Sequence, residues 1–403
     1  MANVAVLSLH TSPLTQPGAG DSGGMNVYVR ELVGSLAQAG VACNVYVRRW
    51  HADLPDVVEV EPGFRVVHVP AGPLDLTKED LPGIVDEYAD WVAGHVDAIG
   101  DVNSLHANYW LSGVAGHRIK HALDLPLVST FHTLARVKAE TGDPEPDRRV
   151  QAETEVIACS DAILASCNAE ASQLTQLYGA DPARIEIVPP GVDHAFFSPG
   201  DQRGARAALG LGDHPVVLFV GRIQPLKGVD VAVRTLAALA HPDAVLMIVG
   251  GASGTTGDHE VDRVQKLAAD LGVGDRIHWV EPQPHHLLST YYRAADVCLV
   301  PSRSESFGLV ALEAAACGTP VVAAAVGGLR TVVAHGGTGF LVDGRDPAAY
   351  ARYTEQILDS PDLAAELSVA AAHRAAGYTW STTAGRLRRL HNDLMARSLV
   401  QCA

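Results

Sequence analysis

The feature that most constrains this sequence is its alternation of short apolar runs with amphipathic stretches of helical period. Each apolar run has the length of a buried strand, and the stretches between them repeat apolar residues every three or four positions. Strands that alternate with helices form βαβ units and a parallel sheet. The predicted strands are Val4–Leu7, Ala42–Arg48, Phe64–Val69, Ser104–Asn108, Leu127–Phe131, Ala162–Ala165, Val216–Val220, Ala244–Val249, Ile277–Val280, Val297–Val300, Val321–Ala324 and Phe340–Val342.

The alternation stops once and then restarts, which predicts two α/β domains. The interruption is rich in proline and glycine at Val188–Asp193 and stays polar as far as Asp213, so it is interpreted as an interdomain linker. We predict a first domain over residues 1–195 and a second over residues 196–377. A terminal helix within residues 378–403 is expected to pack back on the first domain. The 403 residues and 47% hydrophobic content suit two cores of this kind.

Charge, cysteines and the N-terminus narrow the function classes. The formal net charge of −16 argues against nucleic acid and anionic membranes as partners. The six cysteines contain no CxxC pair and mostly lie in apolar runs, which is typical of buried thiols in a reducing compartment and predicts no metal site. The N-terminus shows no signal-peptide pattern and no apolar run is long enough to span a bilayer. A cytoplasmic protein is expected.

A glycine-rich loop, Pro17–Asn26, follows the first predicted strand, and its glycines spell the spacing GxGxxG. A dinucleotide fingerprint would place its first glycine at the strand end and an acidic residue after the second strand. Here His10–Pro17 intervene, and Arg48 and Arg49 stand where the acidic residue would be. The loop therefore favours close approach of backbone amides to another ligand. An NADP site using these arginines and a merely flexible loop are the alternatives.

Two motifs in the second domain indicate a site for a phosphorylated ligand. Arg222 and Lys227 follow a predicted strand, where open α/β sheets bind ligands, and both can meet the same anion. Glu305, Gly308 and Glu313 follow a later strand, with Gly308 at a predicted helix start whose free amides would face an anion. The two carboxylates can bind sugar and ribose hydroxyls at different depths.

Together these motifs resemble the retaining family-4 glycosyltransferases of the GT-B fold. The resemblance covers nearly the whole chain. It includes the glycine loop, Pro190–Asp193, Gly-Arg-x4-Lys-Gly from Gly221, Glu-x7-Glu from Glu305, and Gly-Thr-Pro-Val-Val from Gly318. It implies an α/β fold of two Rossmann-like parallel-sheet domains that face a cleft. In the first domain, His10–Leu14, Asn108–Gly113 and Phe131–Leu134 resemble the family members that glycosylate inositol phosphate in mycothiol biosynthesis.

The resemblance implies a reaction and a set of site residues. The implied reaction transfers N-acetylglucosamine from UDP-GlcNAc to 1D-myo-inositol 3-phosphate with retention, the first step of mycothiol biosynthesis. The implied catalytic residues are Arg222, Lys227, His132 and Glu305. The implied donor-binding residues are Gln16, Pro17, Gly24, Arg222, Lys227, Gln283, Glu305, Phe307, Gly308, Leu309 and Glu313. The implied acceptor-binding residues are His10, Asp21, Ser22, Gly23, Gly24, Met25, Asn26, Lys78, Tyr109, Thr133 and Arg148.

The implied mechanism is front-face displacement, in which the departing diphosphate takes the acceptor proton. No metal-ligand cluster is evident in the sequence, so no cofactor is required for the chemistry. A peripheral Mg²⁺ held by backbone carbonyls and a homodimer stay open. Two other functions also stay open. One is a family-4 enzyme of the sucrose-phosphate type with a nucleotide-glucose donor, and the other is a non-catalytic nucleotide-sugar-binding protein.

Overall fold

The structure is a computed structural model that describes residues 3–18, 20, 22–252 and 257–402, without the side chains of 257 and 258. It divides into two compact units. The first unit contains residues 1–15, 25–190 and 380–403, and the second contains residues 16–24 and 191–379. No helix within the described ranges has both the length and the apolar character needed to cross a membrane.

The sheet of the first unit has eight strands in the order β3-β4-β2-β1-β5-β6-β7-β8. Only β3 is antiparallel to its neighbour; the other pairings are parallel. The central strand β1 is buried along nearly its whole length, as expected for a strand covered by helices on both faces. The strands are β1 (Asn3–Leu7), β2 (Ala42–Arg48), β3 (Val57–Glu61), β4 (Phe64–Val69), β5 (Ser104–Asn108), β6 (Leu127–Thr130), β7 (Ala162–Ala165) and β8 (Ile185–Ile187).

Helices follow most of these strands. The helix α1 is amphipathic and buries Val29, Leu32, Val33 and Leu36. The last helix of the chain, α15, buries Trp380, Ala384 and Leu387 in the core of this same unit. The helices are α1 (Gly24–Gln38), α2 (Val85–Ile99), α3 (Trp110–Leu123), α4 (Ala135–Glu140), α5 (Asp147–Cys159), α6 (Asn168–Tyr178) and, at the end of the chain, α15 (Trp380–Met395).

The second unit contains a six-stranded parallel sheet in the order β11-β10-β9-β12-β13-β14. The strands are β9 (Val216–Val220), β10 (Val245–Val249), β11 (Ile277–Val280), β12 (Val297–Val300), β13 (Val321–Ala324) and β14 (Gly339–Val342). The helices are α7 (Gln202–Ala208), α8 (Val229–Ala238), α9 (Gly257–Asp270), α10 (Leu288–Ala294), α11 (Leu309–Ala316), α12 (Leu329–Val332), α13 (Pro347–Leu358) and α14 (Pro361–Ala375). The predicted α/β class with two parallel sheets is confirmed.

Some local predictions need correction. The strands β3 and β8 were not predicted, because β3 is a partly exposed edge strand in which glutamates interrupt the apolar run and β8 is only three residues long. The predicted linker contains α7, where the side chain of Asp201 at the N-cap accepts a hydrogen bond from the amide of Arg203. The prediction of unpaired thiols is wrong for Cys159 and Cys402, which form a disulfide across a sequence separation of 243. The other cysteines, Cys43, Cys167, Cys298 and Cys317, are buried and free.

Candidate functional site

Both sheets have a switch point where the strand order reverses. In the first unit β1 lies beside β5, and in the second unit β9 lies beside β12. Open α/β sheets bind ligands outside the carboxyl ends of the strands at such a point. His10 follows β1 and Tyr109 follows β5, while Lys227 follows β9 and Glu305 follows β12. These four predicted residues therefore follow the strands at the switch point of their own unit.

In the second unit the structure brings Lys227 and Glu305 together. The ammonium of Lys227 forms an ion pair with the carboxylate of Glu305, and the hydroxyl of Ser302 donates to the same carboxylate at 3.0 Å. The two side chains are only 25% and 15% exposed, so this is not a freely solvated surface lysine. A partly shielded cation at a strand end can exchange its carboxylate for a phosphate.

The start of α11 is shaped by close backbone approach. Gly308, the residue before this helix, has φ +100°, which glycine adopts without strain. A Cβ at Gly327 would lie 1.9 Å from the carbonyl oxygen of Glu305, and one at Gly328 would lie 2.2 Å from the Cα of Phe307. The glycine pair therefore lets this backbone pack directly against residues 305–307 and fixes how the amides at the start of α11 point. Such a helix start favours an anion.

Glu313 is buried inside α11 and is held by two neighbours that the sequence did not point to. Its carboxylate accepts a hydrogen bond from the hydroxyl of Tyr292 at 2.8 Å and lies 2.7 Å from Nε2 of His285. Burial and then the charge of Glu313 raise the pKa of Tyr292, so its hydroxyl stays protonated and donates. We refer to Arg222, Lys227, Glu305, Gly308 and Glu313 as the donor-side cluster.

Residues 17–24 of the glycine-rich loop group with the second unit, whereas the predicted boundary put them in the first. The physical reason is a set of hydrogen bonds: the amide of Gly20 donates to Ala252, and the amide of Gly251 donates to Gly18. The side chain of Gln16 donates to the carbonyl of Pro282 at 2.8 Å, and Arg222 donates to the carbonyl of Gly20 at 3.3 Å.

The remaining donor predictions of this unit are placed as follows. Pro17 is partly exposed, Phe307 is buried and Leu309 is half-buried. A Cβ at Gly24 would touch the side chain of Leu309 at 3.6 Å, and one at Gly23 would lie 3.2 Å from Nε of Arg222. The side chain of Gln283 donates to the carbonyl of Glu281.

In the first unit Tyr109 is the centre of a cluster of cationic and polar side chains. The imidazole of His10 lies 4.3 Å from its ring, and the guanidinium of Arg149 lies 5.0 Å from it. The ammonium of Lys78 lies 6.0 Å away. Tyr109 itself has φ +76°, a strained conformation for a residue with a side chain, and such strain concentrates at functional sites.

The two adjacent arginines of α5 have different environments. Arg149 is buried; it donates to the carbonyl and hydroxyl of Thr133 at 3.0 Å each and to the hydroxyl of Tyr109 at 3.2 Å. It also forms an ion pair with the buried Glu153 at 2.8 Å. Arg148, the residue predicted for the acceptor, is exposed and donates to the carbonyl of Glu79, next to Lys78. The sequence leaves the register between these two arginines open, and the structure places Arg149 beside Tyr109 and Thr133.

His132 follows β6 and also has a strained backbone, with φ +61°. Its Nε2 lies 2.9 Å from Oδ1 of the buried Asn108, and its ring meets the edge of Tyr28 at 4.9 Å. Burial lowers the pKa of His132 to about 3, so the imidazole is neutral at physiological pH. We refer to His10, Lys78, Tyr109, Thr133 and Arg149 as the acceptor-side cluster.

The other predicted acceptor residues surround the start of α1. Asn26 is buried and its amide donates to the hydroxyl of Thr11 and the carbonyl of Ser12, both at 2.6 Å. Ser22 is buried and its carbonyl accepts from the amide of Gly18. Met25 packs partly buried against the core. Asp21 lies outside the described residues.

Comparison with known proteins identifies the family. The model of the glycosyl transferases group 1 matches residues 201–374, and that of Glycosyltransferase Family 4 matches residues 22–196. A D-inositol 3-phosphate glycosyltransferase of Geodermatophilus obscurus is 48% identical over 95% of this chain and 88% of its own length. One from Acidothermus cellulolyticus is 47% identical over 98% of this chain and 90% of its own length.

This chain belongs to the family-4 glycosyltransferases. Among solved structures, the sucrose-phosphate synthase of Thermosynechococcus elongatus is similar to this glycosyltransferase, with a TM-score of 0.93 and 32% identity. The similarity covers 98% of this chain and all of that chain. HepE of Anabaena, solved with UDP and glucose, shares the fold with a TM-score of 0.79 and 18% identity, over 98% of this chain and all of its own.

Proposed function

We propose that this glycosyltransferase moves N-acetylglucosamine from UDP-GlcNAc to 1D-myo-inositol 3-phosphate, which is the first step of mycothiol biosynthesis. The observation that carries the proposal is the full-length identity of 45–48% to relatives named D-inositol 3-phosphate glycosyltransferase. Because both substrates are phosphorylated metabolites of the cell interior, we place the enzyme in the cytoplasm. A homodimer stays a prediction.

The donor-side cluster has the charges and the shape that a nucleotide diphosphate requires. Lys227 and Arg222 supply a point charge and a planar fork, and the start of α11 supplies backbone amides. We propose that the diphosphate replaces Glu305 as the partner of Lys227, which frees that carboxylate to accept hydroxyls of the transferred sugar. Glu313, held by Tyr292 and His285, keeps unused lone pairs with which to accept the ribose hydroxyls.

Gln16, Pro17, Gly24, Gln283, Phe307 and Leu309 are proposed to complete the donor pocket. Gln16 donates to the carbonyl of Pro282, which precedes Gln283 in the chain, so the amide of Gln16 contacts the loop after β11 that carries Gln283. Amide groups of this kind read hydrogen-bond donors and acceptors of a base without adding charge.

For the acceptor phosphate we propose Lys78, Tyr109, Thr133 and Arg148, with Arg149 as a positioning residue. Arg149 already balances its charge on Glu153 and Glu145, so it has less electrostatic attraction left for a phosphate. Its hydrogen bonds instead orient Tyr109 and Thr133. Arg148 is exposed beside residue 79 and can turn to an incoming anion.

His10 and the segment 21–26 are proposed to contact the inositol ring. His132, uncharged at physiological pH, is proposed to hydrogen-bond the transferred sugar rather than to carry a proton as an imidazolium.

The proposed chemistry is a front-face displacement that retains the configuration. The bond between the anomeric carbon and the diphosphate oxygen breaks, and the acceptor oxygen bonds to the same face of that carbon. The departing diphosphate takes the proton of the acceptor hydroxyl. Lys227, Arg222 and the start of α11 stabilise the negative charge that develops on the leaving group.

The experiment is a substrate panel of UDP-GlcNAc and UDP-glucose as donors, each with inositol 3-phosphate, fructose 6-phosphate or unphosphorylated inositol, and with products identified by mass spectrometry. We expect N-acetylglucosaminyl-inositol phosphate as the dominant product and at least tenfold slower turnover of free inositol. The second candidate, a sucrose-phosphate-type enzyme, is favoured by the 32% identity to sucrose-phosphate synthase. A dominant glucosyl-fructose phosphate product would establish it and overturn the proposal.

A further inference from the structure

Four side chains of the first unit converge at a place that none of the proposed transfer residues occupies. His117 and His121 lie on α3, Cys159 is the last residue of α5, and Cys402 lies in the segment that follows α15. Their ligating nitrogen and sulfur atoms all lie within 4.8 Å of one another. Three segments that are distant in the sequence thus deliver two imidazoles and two sulfurs to one point.

The fold positions each of these groups for a local reason. His117 and His121 are four residues apart, so they share one face of α3, and their rings lie 4.9 Å apart. Cys159 is brought to this face because α5 packs against α3. The C-terminal segment is held by the amide of Val400, which donates to Asp161 at 2.7 Å.

Asp161 is itself fixed by a buried ion pair with Lys120 of α3 at 2.8 Å. Lys120 also donates to the carbonyl of Cys159 at 2.7 Å. The anchor of the C-terminal segment and the backbone beside Cys159 are therefore parts of one hydrogen-bonded arrangement, which limits how far the four side chains can move apart.

The distances from His121 to the two sulfurs fit a tetrahedral ion. With Zn–S near 2.3 Å and Zn–N near 2.1 Å, a tetrahedral site separates sulfur from nitrogen by about 3.6 Å. Nε2 of His121 lies 3.3 Å from Sγ of Cys402 and 3.8 Å from Sγ of Cys159. A disulfide alone would need no imidazole beside either sulfur. A tetrahedral zinc ion needs four ligands, which two imidazoles and two thiolates would supply.

We propose that His117, His121, Cys159 and Cys402 form a Cys₂His₂ site for Zn²⁺ in the dithiol form of this protein. Two thiolates and two imidazoles are the donor set of closed structural zinc sites, and they disfavour Mg²⁺ and Ca²⁺, which prefer oxygen. The Cα atoms of Cys159 and Cys402 lie 5.2 Å apart, which suits either a disulfide or two thiolates on one ion. The ion and the disulfide use the same sulfurs and exclude each other.

The site would fasten the C-terminal segment to α3 and α5. Because a metal that binds only the folded state stabilises it, loading should raise the melting temperature. Shared coordination of one ion would also account for the position of Cys402 beside the buried Cys159 at the end of α5.

The test uses the full-length protein, reduced with a phosphine and stripped with a chelator that is then removed, and titrated with Co²⁺ alone. We expect one equivalent of Co²⁺ per chain, with the charge-transfer absorption of cobalt thiolate and the intense visible bands of a tetrahedral ion. Zn²⁺ should then displace the cobalt and raise the melting temperature. Cys402→Ser and His121→Ala should lose the thiolate absorption or shift it, while His51→Ala, an exposed histidine outside the cluster, should leave it unchanged.

Cys402 lies in a terminal segment without helix or strand, so Cys402→Ser is expected to fold and to keep its transferase turnover. The proposal is overturned if reduced wild-type protein gives no cobalt–thiolate absorption, or if the absorption persists unchanged in Cys402→Ser. It is also overturned if peptide mass spectrometry finds the disulfide intact in protein kept under the reductant. These outcomes do not depend on which sugar or acceptor the enzyme uses.

Discussion

The two candidate clusters are built by opposite means. The donor-side cluster depends on backbone: glycines at Gly308, Gly327 and Gly328 let strand ends and a helix start approach within distances that no side chain would allow. The acceptor-side cluster depends on side chains, because Arg149 donates hydrogen bonds to Tyr109 and Thr133. Tyr109 is a non-glycine residue with positive φ, and Thr133 follows His132, which is another. The geometry of the donor-side cluster is therefore set by main-chain packing, and that of the acceptor-side cluster by hydrogen bonds between side chains.

This difference predicts whether a substitution in each cluster lowers the rate, the ligand affinity or the stability. In the donor-side cluster, loss of one charge should leave the backbone frame intact, so that the rate falls without loss of stability. In the acceptor-side cluster, the residue that orients the others is itself a buried charge, so removing it should affect binding and stability together. The predictions below test that contrast.

The largest expected effect is that of Lys227→Ala on turnover. Removing one preorganised charge from a leaving group costs about 3 kcal/mol, which is a hundredfold or more in kcat. Acceptor affinity, measured by calorimetry with inositol 3-phosphate, should change little. Lys266→Ala, an exposed lysine of the same unit, is the matched control and should keep the wild-type rate. A Lys227→Ala enzyme with nearly normal kcat would remove Lys227 from the proposed donor site.

The next effect tests the backbone frame through two glycines of similar conformation. Gly327 and Gly336 both have positive φ, but a Cβ at Gly327 would meet the carbonyl of Glu305 whereas one at Gly336 has nothing within 4 Å. Gly336→Ala should cost about 1 kcal/mol of unfolding free energy, the conformational term alone. Gly327→Ala should destabilise more and raise the KM for UDP-GlcNAc at least tenfold, measured by steady-state kinetics. Equal effects of the two substitutions would mean that the close approach to Glu305 does not shape the donor site.

The residues of each donor-side motif could be grouped from sequence because each motif is contiguous; their role in binding the donor stays a prediction. Arg222 and Lys227 flank one turn after β9, and Glu305, Gly308 and Glu313 lie in one segment after β12. The alternation of strands and helices likewise gave the α/β class, because period and length are local properties. Strand order is not local, so the switch points beside β1 and β9 came only with the structure.

The acceptor side shows where sequence reasoning stops. Arg148 and Arg149 are indistinguishable by type, and only the position of α5 against Tyr109 and Thr133 decides which of them is buried. The partners of Glu313, His285 and Tyr292, lie more than 20 residues away and carry no motif. The pairing of Cys159 with Cys402 spans most of the chain. In each case the missing information is a tertiary contact.

The third prediction separates the adjacent arginines. Arg148→Ala should weaken inositol 3-phosphate binding about tenfold, the value of one charge-assisted contact, and should leave UDP-GlcNAc affinity and the melting temperature nearly unchanged. Arg149→Ala should lower the melting temperature by roughly 6 °C, because it leaves the buried Glu153 without its ion-pair partner. Calorimetry and thermal unfolding measure the two effects. If Arg148→Ala binds the acceptor normally and Arg149→Ala does not while keeping its stability, Arg149 is the phosphate ligand.

The smallest expected effect is a pH dependence confined to the first unit, where three buried histidines are held neutral. Burial lowers the pKa of His391 to about 4 and that of His132 to about 3, and burial followed by these two neighbours lowers the pKa of His106. An unfolded histidine has a pKa near 6.5, so below that pH these histidines bind protons in the unfolded state but stay neutral in the folded state. The stability is complete above about pH 6.5 and is lost as the pH falls toward 4. At pH 5.5, protonation of unfolded His391 and of unfolded His132 each lowers the unfolding free energy by about 1.4 kcal/mol, roughly 3 °C or more for a unit of this size.

His391→Gln isolates one of these groups, since it keeps a hydrogen-bonding side chain opposite Ser104 and removes the titration. Differential scanning calorimetry between pH 8 and pH 5 should show a smaller fall of the melting temperature in this variant than in the wild type, whatever its stability at pH 8. His51→Gln, at an exposed histidine, should reproduce the wild-type slope. If His391→Gln also reproduces it, the imidazole of His391 accepts a proton in the folded state and does not contribute to the acid sensitivity of the first unit.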